Sequence, residues 1–214
     1  MMLGVQSTMK YELQLQEINN KYYDKIKNAY GRYIKDFDNL PKLQDCTEFV
    51  SNGKVYNKLI NSGNSAECIY RNQKIYFRTD VLFTDDLIIH EYIHLIAIKK
   101  TWYGKIYSGL AKYNFLINFN EILTEWIMYK ITGIKNHARP YTYGFSLIEV
   151  LCDKIGENVI IECYFTGKVF PIIRWAKKDT FMFFKCFSTV IERSKNDKDI
   201  LSYINLMTTY FSNK

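Results

Sequence analysis

Histidine is scarce in this chain: three residues among 214. Proline also numbers three, and no segment is low in complexity, which argues against long linkers or disorder. No pair of the five cysteines has CxxC spacing, and their number is odd. Cys152, Cys163 and Cys186 sit among apolar neighbours, as buried free thiols do. That usage suits a reducing compartment. No apolar run approaches the length of a membrane span, so no membrane span is expected. The first residues, MMLGVQSTMKYELQ, lack a basic segment followed by an apolar one. The expectation is a cytoplasmic protein, unless export uses a route without such a signal. No internal repeat is found. No Lys/Arg run reaches the length of a nucleic-acid tail, and no nucleic-acid motif is present. The net charge of +7 is scattered, with Lys99-Lys100 and Lys177-Lys178 as the only short clusters. It reads as solvated surface, and no nucleic-acid partner is expected.

What remains is an ordinary globular composition, 48% hydrophobic and 24% charged, long enough to bury a core without staples. Residues 9–36 carry apolar residues at helical spacing between charges. Residues 37–65 are mixed, with a turn at 38–41 and a loop at 61–65. The stretch 66–79 predicts two short strands around an Arg71-Asn72-Gln73 turn. Thr84-Asp85-Asp86 then opens a helix over LIIHEYIHLIAIKK, closed by Lys99-Lys100. A connection over 101–117 leads to a second clear helix, NEILTEWIMYKITG, capped by Gly133. Helical patterns follow over 143–155, 157–166, 177–192 and 198–212. Strands first and helices later predict an α+β, mostly α fold. The expected division is a helical extension over 1–65 and a domain over 66–214, or the two as one domain.

Two of the three histidines, His90 and His94, stand four residues apart with Glu91 between them. On a helix both imidazoles leave one face about one turn apart, which suits two cis positions of a tetrahedral zinc. Glu91 lies about 100° round from His90, where it can hold a metal-activated water and take its proton. With so few histidines, a chance HExxH has a probability on the order of a few per thousand. The helix is apolar nearly all round, and two histidines and a glutamate buried there need partners. A metal satisfies all three.

A catalytic zinc takes three protein ligands and keeps one position open. Glu121 is the best third ligand. It shares one side of the second helix with Glu125, four residues on. His137, in the loop before Pro140, competes for that place and also suits a substrate-side role.

HEYIH followed by NEILTEW resembles the gluzincins, the thermolysin-like zinc peptidases. The resemblance implies one catalytic zinc held by His90, His94 and Glu121, with Glu91 as general base. It makes Glu125 the acid that orients a ligand histidine through its other ring nitrogen. Tyr141-Thr142-Tyr143-Gly144-Phe145-Ser146-Leu147, Ile155-Gly156-Glu157 and Tyr164-Phe165-Thr166-Gly167 are similar to small bacterial gluzincin-like proteins. The resemblance spans residues 66–175 and implies a minimal zincin-like core. The 27-position step from His94 to Glu121 is longer than in thermolysin itself, and no calcium-rich lobe is visible.

The expected activity is hydrolysis of a peptide or protein substrate. Oxyanion donors are sought in Tyr141, Tyr143, His137 and Arg139, and the resemblance favours Tyr141. The strand Ile75-Tyr76-Phe77-Arg78 is expected to hold an extended substrate by strand addition, with Tyr76 and Phe77 in contact. The alternatives are a catalytically silent zinc-containing binding or regulatory module, a helical binding protein with a chance motif, and a selective, toxin-like effector protease.

Overall fold

The structure is a computed structural model that describes residues 2–34, 39–136, 140–194 and 197–213. Among the described residues about 69% are helical and the strands form two small sheets, so the fold is α+β and mostly α, as the pattern predicts. The chain makes two compact units, the first ending at Ile98 and the second starting at Lys99.

The first unit opens on α1, Met2–Tyr30. Leu15, Ile18, Tyr22, Ile26 and Tyr30 are all buried, a stripe at helical spacing that seals one face. Asn19 on the same stripe is buried too, and its Oδ1 accepts the N–H of Leu43. Within the mixed stretch, residues 39–65 are more ordered than their composition predicts. They hold α2 (Leu43–Cys46), β1 (Thr47–Val50) and α3 (Gly53–Ser62). The signal for β1 is weak because a four-residue strand with one exposed acid has too few positions to show a period. Helix α3 ends on Gly63 in the left-handed region, where a glycine C-cap satisfies the last carbonyls.

The paired strands are found where they are predicted, as β2 (Ala66–Ile69) and β3 (Lys74–Arg78), antiparallel around the turn. β1 adds to the other side of β3 in parallel, giving the order β1-β3-β2. Residues from before and after position 65 therefore share one sheet. An aromatic cluster of Tyr11, Phe49, Phe77 and Phe83 fills the space between α1 and this sheet. Tyr11 stacks on Phe49 at 4.5 Å, and Phe77 meets Phe83 edge-on at 5.2 Å.

Helix α4, Asp85–Ile96, packs on β2 and β3. Thr84 stands at its N-cap without a side-chain cap bond, so the expected capping is not what fixes this end. Asp85 does that work: its Oδ2 accepts hydrogen bonds from Lys21 Nζ at 2.8 Å and Tyr22 OH at 2.9 Å. The helix stops earlier than predicted. Lys99-Lys100 do not close it; they lie in strand β4 (Ile98–Lys100), which pairs with β5 (Ile106–Ser108). Lysine favours a helix over a strand by propensity, and pairing with β5 overrides that preference here.

In the second unit, α5 (Ile117–Thr132) starts three residues before the predicted position and ends on Gly133 in the left-handed region. Phe119, Ile122, Leu123, Ile127 and Met128 are fully buried. The remaining helices are α6 (Phe145–Ile155), α7 (Glu157–Thr166), α8 (Phe170–Ala176), α9 (Thr180–Arg193) and α10 (Asp197–Ser212). Glycines 156 and 167 end α6 and α7 where predicted. The expected helix over 177–192 begins at Thr180, after a 3-10 turn over Lys177–Asp179, and α8 before it has no strong periodic signal.

One turn in this unit admits only glycine. Gly109 has φ +53°, and a Cβ there would collide with Asn120 Oδ1 and come within 2.6 Å of Tyr164 Cε2. Asn120 Oδ1 is fixed in place because it accepts the Leu110 N–H at 2.7 Å. Gly104 has φ +88° but faces open space. Gly109→Ala is therefore expected to cost about 3 kcal/mol, strain plus overlap, against about 1 kcal/mol for Gly104→Ala, strain alone. Denaturant unfolding of the two variants checks the order; equal losses would refute the packing account.

Candidate metal centre

His90 and His94 sit on α4 and are 5% and 3% exposed. Ile88, Ile89 and Ile93 around them are fully buried. The two Nε2 atoms face each other at 3.2 Å, with the rings at 72°. Two nitrogens bound to one tetrahedral zinc at about 2.05 Å each stand about 3.3 Å apart. The imidazole spacing therefore fits a shared zinc, and imidazole nitrogen is a preferred zinc donor.

Glu91 is half-buried on the same helix. Its Oε2 accepts the backbone N–H of Cys68 at 2.8 Å. The sheet register explains why that N–H is available. Ser65 O accepts the Arg78 N–H, so the alternate positions Ala66 and Cys68 of β2 turn their backbone groups away from β3. The Glu91 carboxylate thus covers a donor on the open edge of the sheet, leaving Oε1 free of protein hydrogen bonds among the described residues. Burial and the nearby Glu91 carboxylate push the Cys68 thiol up, so it stays a neutral thiol. Tyr70, unremarked in the sequence, follows β2, with its ring 6.4 Å from that of His94. Nothing in its neighbourhood along the chain signals this, because the approach depends on how β2 packs on α4.

The other candidates belong to the second unit. Glu121 is half-buried and Glu125 fully buried, one turn apart on α5. A fully buried carboxylate in an apolar helix is costly unless it serves a partner. The sequence contains the residue just before Glu121, Asn120, without revealing its role, which is to receive the Leu110 N–H. Thr124 shares a 2.7 Å hydrogen bond with Tyr164 OH, fixing α5 to α7. Tyr141 and Tyr143 are half-buried on a 3-10 helix, Pro140–Gly144, that packs on α5. Gly144 of that helix lies so close to Ile122 that a Cβ would come within 2.7 Å of its Cγ2. His137 and Arg139 lie outside the described residues.

The expected substrate strand requires correction. β3 is the central strand, paired on both sides, so it has no edge to offer an added strand. Phe77 is fully buried in the aromatic cluster and does not reach a substrate. Tyr76 is 8% exposed, and its OH accepts the Asn72 Nδ2 hydrogen bond at 2.8 Å. The run of Ile, Tyr and Phe that suggests a docking strand is instead what a strand covered on both faces needs.

No protein-family model, curated protein or solved structure matches the chain. The functional reading therefore rests on the residues themselves.

Glu91→Ala is expected to speed hydrogen exchange of the Cys68 amide about tenfold, because the donor loses its charged acceptor. Glu91→Gln keeps an acceptor oxygen and should preserve most of the protection. Unchanged exchange in Glu91→Ala would show that Glu91 does not hold the strand edge.

Proposed function

We propose that this chain is a zinc-dependent peptidase that hydrolyses peptide bonds. The observation that carries the reading is the facing pair of buried imidazole nitrogens, 3.2 Å apart, on an otherwise apolar helix. His90 and His94 hold the metal, and Glu121 is the third ligand, completing a donor set of two imidazoles and a carboxylate. Zinc, when bound, supplies Lewis acidity toward a carbonyl and toward water. Glu91 takes a proton from the attacking water and passes it to the leaving amine. Its Oε2 stays anchored to β2 while Oε1 does the proton transfer. Glu125 orients a ligand histidine through the second ring nitrogen. Tyr141 donates its hydroxyl to the developing oxyanion, with Tyr143 as the neighbouring candidate.

One observation favours a second reading, a zinc module without catalysis. The Glu91–Cys68 bond gives Glu91 a structural use that needs no reaction. Glu91→Gln separates the two, since the amide keeps an acceptor for Cys68 and loses the base.

Elemental analysis should find about one zinc per chain in the wild type and in Glu91→Gln, and loss of zinc in His94→Ala and Glu121→Ala. Cleavage of an unstructured protein should fall about 10²- to 10⁴-fold in Glu91→Gln. A wild type that takes up no zinc when supplied with it sinks the metal reading. A zinc-loaded protein whose Glu91→Gln variant matches the wild type sinks the peptidase and leaves the module.

A further inference from the structure

Strands β4 and β5 form a hairpin whose tip carries Trp102, 96% exposed, and Tyr103, 56% exposed. The tip is tightly built. Thr101 N–H donates to Lys105 O at 2.8 Å, and Thr101 Oγ1 accepts the Lys105 N–H at 2.9 Å. Gly104 N–H donates to Thr101 O at 3.0 Å, and its φ of +88° supplies the left-handed step that closes the turn. The two rings meet edge-on, 5.5 Å apart. A nearly bare tryptophan against an exposed tyrosine, both held on an ordered turn, presents joined apolar area that a partner surface can cover.

Along the chain, the charge on either side of the hairpin tip has one sign. Between Glu91 and Glu121 the chain has no acidic residue and four lysines. Lys100 and Lys105 are exposed on the stem of the hairpin. Lys105 Nζ donates to Lys112 O, and Lys112 lies over the ring of Tyr113, itself 41% exposed. The aromatic tip thus continues into a basic and aromatic shoulder.

We infer that this hairpin docks the protein on an anionic phospholipid bilayer, with Trp102 and Tyr103 entering the interfacial layer and Lys100, Lys105 and Lys112 facing the head groups. Tryptophan and tyrosine favour that layer because one end of each ring system is apolar and the other polar. Lysine stems lie along apolar surface while their ammonium groups reach the phosphates. A convex tip suits a soft, fluid surface. Nucleic acid and extended peptide ask instead for a groove. Among the described residues no helix is long and apolar enough to cross a membrane, so the contact is peripheral. This inference does not rest on the metal reading.

The test is co-sedimentation of the full chain with vesicles of phosphatidylcholine, alone or mixed equally with phosphatidylserine. Tryptophan emission is read in parallel. The wild type should bind the mixed vesicles, release them at high salt, and shift its emission to the blue. Removing Lys100 or Lys105 should weaken binding about fivefold each. Trp102→Ser with Tyr103→Ser should weaken it at least about tenfold while zinc content and circular dichroism stay as in the wild type. Trp102→Phe, a milder change, should remove the emission shift. Failure of the wild type to bind the mixed vesicles overturns the inference. So does binding that survives loss of both aromatic residues, an emission shift that persists in Trp102→Phe, or binding to polyuridine through the same residues without binding to vesicles.

Discussion

Two ring nitrogens held 3.2 Å apart on a buried helix restrict each other's protonation. They are in balance as neutral rings only when one donates to the other, and two donors facing each other repel. A shared cation removes that conflict and uses both lone pairs. The rest of the first unit keeps this helix in one place. Asp85 ties its first turn to Lys21 and Tyr22 of α1, Tyr92 OH donates to Pro41 O, and Glu91 anchors it to the outer edge of β2. Three attachments along twelve residues fix the rotation of the helix about its axis, and hence the direction of both imidazoles.

Glu91 links the motif helix to the sheet. Its position in HEYIH gives it a place beside the two histidines, and its contact with Cys68 comes from the sheet register. A carboxylate has two oxygens and about four acceptor sites, so anchoring one oxygen still leaves the other for a proton. The anchor also reduces the rotamer freedom of the side chain, which holds the second oxygen in one place on the helix.

The two motif-bearing helices were legible because their apolar patterns are strong, and α5 also has a marked end. Gly133, Gly156 and Gly167 end helices where glycine is needed for a left-handed or open C-cap. The β2–β3 pair was legible because Ile, Tyr and Phe crowd around a polar turn. What failed depended on partners distant in sequence. β1 is too short to show a period, and only its parallel pairing with β3 makes it a strand. That pairing is also why Tyr76 and Phe77 are structural residues: a strand reads the same in sequence whether its neighbours are present or its edge is open. Lys99 and Lys100 looked like a helix end until β5 recruited them. In the candidate site, HEYIH showed the two histidines and their spacing. The hydrogen bond from Cys68 and the approach of Tyr70 were invisible, because both arise from the packing of β2 on α4.

The long step between HEYIH and NEILTE has a physical explanation in what it contains. Helix α4 ends two residues after His94, and α5 begins four residues before Glu121. The chain uses this interval to build a closed hairpin and display an exposed tryptophan at its tip. The interval also excludes every acid from Tyr92 to Asn120. A connection with only a spanning role has no need for a rigid turn, a bare indole and charge of a single sign together. A surface contact needs all three: the turn holds the ring outward, the ring supplies apolar area, and the lysines bring it to an anionic partner. The long interval between the two motifs therefore falls where the second unit, among the described residues, has its most exposed aromatic side chain.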